Sequence, residues 1–413
     1  MNTAGLSLDQ APPFGVVLRF FITAPIFGIL VGLLLFSGGG ELLLNRYHPQ
    51  TLVVVHLITL GVMGMVMVGA LFQMLPVIAG VVLPQARLLG AAVYGALGAG
   101  VLLLCLGFWG ANAFGFALGG TLLAVSLAVF AVVALIGLFR VEYANVTVKL
   151  MRLALISLLI TLLLGAHLAA GHATLNLNAL TPIFANLHAG WGLAGWTALL
   201  ILGVAQQVLP MFYVTPRYPK FCRTVTGPLI FGSLLAAIPL ALYGFGWVAM
   251  IGIAIGLLML GSMTFARTLR RKRKAADGSL RYWQFSMIAL VLSVPLLFIP
   301  GEAATGALGI LFGGGFVLGL INGMLYKIVP FLSWFHLSAT FRPDIPTMHD
   351  FIPKKGVYYQ LGLHGGALTL LLAGLFAPVL AQLGGAVLVL AYGLLFAHLL
   401  RAARVYARSG GVF

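Results

Sequence analysis

Runs of about twenty apolar residues recur along the whole chain, separated by short polar segments. A helix of about 20 residues spans the roughly 30 Å hydrocarbon core of a bilayer, so each run predicts a transmembrane helix. Short alternating strands of the kind that form a membrane barrel do not occur in the sequence, which predicts an all-α fold. About twelve helices are expected, near residues 15–37, 51–75, 88–108, 113–138, 150–170, 183–208, 226–245, 247–269, 282–300, 305–327, 356–376 and 378–404.

Composition supports the same class, a polytopic membrane protein. Of the 413 residues, 62% are hydrophobic and 7% are charged, whereas soluble domains carry roughly 25% charged residues. We therefore expect one transmembrane domain over residues 1–413, with the lipid bilayer as its main contact.

Positive charge is distributed unevenly between the predicted loops. Of the 23 Lys and Arg residues, Arg46 alone falls in a connection on one side, and the others fall on the opposite side. By the positive-inside rule this predicts cytoplasmic N- and C-termini, in a bacterial inner membrane. The basic run at 270–274 is then a loop near anionic headgroups, and no nucleic-acid partner is expected.

A short motif recurs in the second, sixth and tenth predicted helices. Each copy reads glycine, three residues, a long polar residue, two apolar residues and proline, at 69–76, 203–210 and 323–330. Proline is expected to close each of these helices. The spacing predicts three pseudo-repeated four-helix units, at about 15–145, 150–270 and 282–404.

Two histidine segments carry a family resemblance. They are His56-Leu-Ile-Thr-Leu-Gly-Val-Met-Gly in the second helix and His188-Ala-Gly-Trp-Gly-Leu-Ala-Gly-Trp in the sixth. With twelve helices in three sets of four, the chain resembles the catalytic subunit of heme-copper oxidases over nearly its full length. The resemblance implies that His56 ligates a low-spin heme near the outer face and that His188 ligates copper.

The chain also departs from that family. Its seventh and tenth predicted helices, 226–245 and 305–327, lack the family's histidine pairs, and Gly192 stands where many members have a tyrosine. A full oxygen-reducing centre is therefore not expected, and the chain resembles a diverged relative.

Histidines and methionines supply the candidate ligands. His56, His167 and His188 are predicted in the outer third of the membrane, where imidazole could bind heme iron, copper or zinc or, alternatively, bond a backbone carbonyl as a packing residue. At about 100° per residue, Met63, Met67 and Met74 fall within about 20° of His56. A His-Met stripe would suit Cu(I), while methionine is also a common filler of packed helices.

The remaining polar residues are less specific. His364 and His398 could bracket a second cofactor or be packing residues, and packing is favoured. His336 and His349 are expected to be solvated in a cytoplasmic loop. Gln73, Gln207 and Lys327, at equivalent motif positions, either tie helices together or line the cytoplasmic mouth of a passage. All seven acidic residues fall at predicted membrane edges or in loops, which disfavours a proton pump.

Three functions remain open at this point. The first is a heme-binding protein, with copper as a second metal, that acts with a respiratory or redox partner in electron transfer, nitric oxide handling or sensing. The second is a transport or metal-handling protein with an outer His/Met site, and the third is an assembly factor of a respiratory complex.

Overall fold

A computed structural model describes residues 11–272, 274–275, 277–339 and 344–413. Within these residues the chain forms twelve helices of 21 residues or more, and no strand. The helices are α1 (Phe14–Gly38), α2 (Pro49–Ala79), α3 (Ala86–Gly110), α4 (Ala113–Phe139), α5 (Val146–Ala173), α6 (Thr181–Tyr213), α7 (Lys220–Leu242), α8 (Gly246–Leu269), α9 (Gly278–Phe298), α10 (Glu302–Ser338), α11 (Lys354–Gly374) and α12 (Pro378–Arg408).

Eleven of these helices are both long enough and apolar enough to cross a membrane, which confirms an all-α polytopic membrane protein. The exception is α11, which has the length but a lower hydropathy. Its polar residues Gln360 and His364 are fully buried and face neighbouring helices instead of lipid. These two buried polar side chains account for the lower hydropathy of α11.

The helices form a closed arrangement in which α12 packs along α1. Gly32 and Gly385 bring the two backbones together, since a Cβ added at Gly385 would lie 2.7 Å from the carbonyl oxygen of Gly32. At one end of the bundle, the Phe14 ring contacts the rings of Tyr406 and Phe413 at 5.0 and 6.5 Å. We call this the terminal end, and the opposite end the Arg46 end.

Three helices contain an unusual internal segment. A π-helical stretch occupies Leu57–Gly64 in α2, Trp191–Ala198 in α6 and Gly309–Leu318 in α10. Each stretch ends twelve positions before the proline of the recurring motif, namely Pro76, Pro210 and Pro330. The three motif helices thus share a backbone irregularity as well as a sequence pattern, and π segments are frequent at functional sites.

Two sequence expectations fail in this region. The motif prolines do not close their helices: Pro76, Pro210 and Pro330 all lie inside α-helix, and α10 continues to Ser338. A proline removes one backbone hydrogen bond but leaves those of the following turns intact, so the helix continues for three residues after Pro76 and Pro210 and for eight after Pro330. As a result His336 lies on α10 and stacks on Phe14 at 5.5 Å, instead of being solvated in a loop.

Three of the charged residues counted above lie outside the described residues, namely Asp9, Arg273 and Arg342.

Candidate functional site

Two histidines meet between α2 and α6. The rings of His56 and His188 lie 6.5 Å apart between centroids, with their planes inclined by 23°. Each histidine lies seven positions after the first residue of its helix, Pro49 in α2 and Thr181 in α6. At 1.5 Å per residue, both are about 10 Å inside the Arg46 end.

Backbone carbonyls orient both rings. Nδ1 of His56 lies 2.7 Å from the Leu52 carbonyl oxygen, and Nδ1 of His188 lies 3.0 Å from that of Thr161. A carbonyl only accepts, so Nδ1 carries the proton in both rings and Nε2 keeps its lone pair. A histidine held by such a hydrogen bond has the tautomer and orientation that metal ligation needs.

Aromatic side chains enclose the pair on one side. Phe108 of α3 packs on His56 at 5.1 Å, and Phe116 of α4 packs on Phe108 at 5.0 Å. His172, near the end of α5, lies against both phenylalanines at 5.7 and 4.9 Å. The helix predicted near 150–170 stops short of His172, whereas α5 continues to Ala173.

The other predicted ligands do not join the pair. His167 is exposed on α5, with its ring 4.9 Å from Phe184. Met63 is buried, and its sulfur accepts a hydrogen bond from the Thr197 hydroxyl at 3.2 Å. Met67 is buried in the hydrophobic core.

The predicted His-Met stripe assumed a regular α-helix. Residues 57–64 are π-helical, and a π-helix advances by about 80° per residue, since its hydrogen bonds join residues five apart. The angle between His56 and every later methionine of α2 therefore differs from the α-helical value. Among the described residues, no group of three His, Cys, Asp or Glu side chains is placed to hold a metal ion, so the pair offers two imidazole ligands.

A large apolar cavity adjoins the pair without including it. The cavity has a volume of about 780 Å³ and is bounded by the π segments of α2, α6 and α10, among other elements. Val55, one position before His56, and Ile58, two positions after it, line the cavity, whereas His56 itself faces α3 and α6. The histidine pair and the cavity are therefore neighbouring but distinct features.

A smaller cavity of about 240 Å³, with charged side chains in its lining, lies toward the terminal end and is lined by Lys327, Asp277 and Tyr326 among others. The Lys327 ammonium is 2.7 Å from an Asp277 carboxylate oxygen and 5.2 Å from the centre of the Tyr213 ring. Burial raises the pKa of Asp277, but the charge of Lys327 and hydrogen bonds from Lys327 and Ser279 outweigh it and hold that pKa below its ordinary value. Lys327 thus lines a cavity at the end predicted to be cytoplasmic, and Asp277 neutralises it.

The fold and the pair define a polytopic helical membrane protein with a preorganised two-imidazole site. Neither protein-family models nor curated proteins give a match to this chain. The resemblance to heme-copper oxidases accordingly remains a prediction that rests on the residues quoted above.

Proposed function

We propose that this protein binds a redox-active metal centre between His56 and His188, in the first instance a heme iron, and uses it for electron transfer in the membrane. The observation that carries the proposal is the spacing of the two rings. Two imidazoles whose ring centres lie within about 7 Å of each other could both offer Nε2 to one metal, which imidazole suits as a ligand. The observed separation is 6.5 Å.

The surroundings of the pair fit a ligand role. Both Nδ1 atoms bond to backbone carbonyls, which leaves Nε2 available and makes each imidazole a better donor. Phe108 and Phe116 supply an apolar wall, and an apolar shell controls solvent access and hence the potential of a metal centre.

Two protein ligands also narrow the chemistry. If His56 and His188 both hold a heme iron, the chemistry that the group would supply is the exchange of single electrons. Electron transfer is therefore favoured over nitric oxide handling or sensing, which need a vacant or displaced ligand. His56 and His188 would hold the centre about 10 Å from the Arg46 end, within reach of a redox partner at that surface.

A single copper(I) ion is the second candidate. Two neutral imidazoles also suit Cu(I), and Phe108, at 5.1 Å from His56, restricts the room for a macrocycle on that side. In this case the protein would handle copper and would show no heme spectrum.

The test is to purify the full chain from cells supplied with heme and copper. Reduced-minus-oxidised visible spectra and elemental iron and copper contents should show close to one metal centre per chain. His56→Ala and His188→Ala should each lose most of it, whereas His167→Ala is the matched control, because His167 is exposed on α5 and should have no effect.

Three outcomes separate the alternatives. Heme bands that vanish in both variants support the heme site, and copper without heme bands supports the copper site. Wild-type protein without either metal, or a metal content that both alanine variants retain, would rule out a centre at this pair.

A further inference from the structure

The 780 Å³ cavity is a second candidate site, separate from the histidine pair. It lies within the size range of pockets that bind small organic ligands. Its lining is mostly aliphatic and aromatic, with Ile58 of α2, Leu193 of α6, Phe312 of α10 and Met250 of α8 among the contributors. Such a lining favours an apolar ligand.

The cavity is open space, not loosely packed core. Val55 is 42% exposed although it lies on α2, between the buried Val54 and Leu57. Gly309 and Gly313 in the π segment of α10 also line the cavity, and a Cβ added at either would meet no atom within 4 Å. Two consecutive turns of α10 therefore present bare backbone to the cavity.

Positive charge marks one end of the cavity. Arg46 and Asn186 both line it, and the Arg46 guanidinium donates to the Asn186 side-chain oxygen and the Tyr47 hydroxyl. The one ion pair between described residues joins Lys327 to Asp277, so Arg46 has no carboxylate partner within that part of the chain. A guanidinium binds carboxylate or phosphate better than neutral groups.

We propose that the cavity binds an amphipathic lipid, whose acyl chain lies between the π segments and whose anionic headgroup pairs with Arg46. The lining supports this ligand class, because its charged residue, Arg46, lies at one end of the cavity and the walls are otherwise mostly apolar. The headgroup is a carboxylate or a phosphate, which correspond to a free fatty acid or a phospholipid.

Filling the cavity tests the acyl part of the site. A fluorescent polyene fatty acid is titrated into the full chain, purified in a neutral maltoside detergent. Gly313→Phe puts a ring into the open space and should weaken binding about tenfold or more. Gly366→Phe is the matched control, because a Cβ there also meets no atom within 4 Å and Gly366 is exposed on α11, away from the cavity.

Gly309→Leu, which places a smaller side chain in the cavity, is the second variant if Gly313→Phe fails to purify as a single species. Binding that is unchanged in the filled variant, or reduced equally in Gly366→Phe, would overturn the proposal.

Competition tests the headgroup. A saturated fatty acid should displace the probe at about tenfold lower concentration than the alcohol of the same chain length, and Arg46→Gln should abolish this difference. Displacement by the fatty acid but not by phosphatidylglycerol identifies a free carboxylate, and stronger displacement by phosphatidylglycerol identifies a phospholipid. Equal displacement by acid and alcohol in the wild type would overturn the proposal.

These outcomes do not depend on the metal proposal, because neither His56 nor His188 lines the cavity.

Discussion

At the scale of single residues, hydrogen bonds separate the histidines that can ligate from those that cannot. His56 and His188 use one ring nitrogen each on a carbonyl. His364 uses both, with Nε2 3.0 Å from the Gly314 carbonyl oxygen and Nδ1 3.5 Å from the Asn322 amide nitrogen. His364 is therefore held at both ring nitrogens, as expected of a packing residue, and the lone pair of its Nδ1 faces the Asn322 amide.

The sequence predicts which helices carry the histidines, but not which way they face. His56 and His188 could be assigned to neighbouring positions along α2 and α6 because helix order and length follow from apolar runs. Their approach to 6.5 Å depends on helix rotation, which packing decides. His172 could have been found only by extending α5 beyond its apolar run.

The Lys327–Asp277 pair gives a pH-dependent prediction. Because the folded pKa of Asp277 lies below its ordinary value, its stabilising contribution is complete above about pH 4 and is lost as the pH falls through the folded pKa. We expect Asp277→Asn to cost about 1 kcal/mol near pH 7, a modest figure for a partly solvated pair, and to flatten the pH dependence. Thermal unfolding in detergent between pH 3 and pH 7 measures both effects.

Lys327→Gln is the control for this experiment. The double variant should lose little more than either single one, since the two changes remove the same interaction. Additive losses, or an acid profile of Asp277→Asn that matches the wild type, would contradict the assignment.

At the scale of elements, the π segments decide how α2, α6 and α10 present their side chains. The sequence Leu57–Gly64 is as compatible with an α-helix as with a π-helix, since its glycines and aliphatic residues fix neither. Hydropathy therefore predicts that α2 is a helix, but it does not predict the π segment inside it. This is why the predicted angle between His56 and Met63 was unreliable while the helix itself was predicted within a few residues.

Deleting one residue from a π segment tests its role. A π turn contains one residue more than an α turn, so deletion of Thr59 should restore α geometry and rotate His56 away from His188 by about 100°. We expect loss of the metal centre with retention of a monodisperse, membrane-inserted protein. The measurement is metal content together with gel filtration.

The corresponding deletion in the α10 segment, at Phe312, is the comparison. It changes the same kind of turn without touching either histidine, and should leave the metal content unchanged. Retention of the centre in the Thr59 deletion would show that the π turn does not orient His56.

At the scale of the whole molecule, hydropathy and charge predict more than residue chemistry does. The number and order of helices follow from apolar runs, including α11, whose buried Gln360 and His364 lower its hydropathy. The same-side placement of the two ends follows from an even helix count and is seen in the contacts of Phe14 with Tyr406 and Phe413. The cavity could not be predicted, because it is a gap between elements.

Membrane orientation remains a prediction that a reporter can test. A C-terminal fluorescent protein, which folds in the cytoplasm, should be bright, and a C-terminal alkaline phosphatase, which needs the periplasm, should be inactive. Fusions after Arg46 should give the opposite result. Active phosphatase at the C-terminus would reverse the assignment of the terminal end.

Because α1 and α12 are neighbours, the same set of helix contacts could be made by a chain that begins at another helix. Since Phe14 and Phe413 touch, a short linker could join Phe413 to the start of α1, and new termini could be opened between α8 and α9, at the same end of the molecule. Such a circular permutant would keep every helix neighbour while beginning at α9. The closed arrangement of helices, and not the helix at which the chain starts, then specifies this architecture.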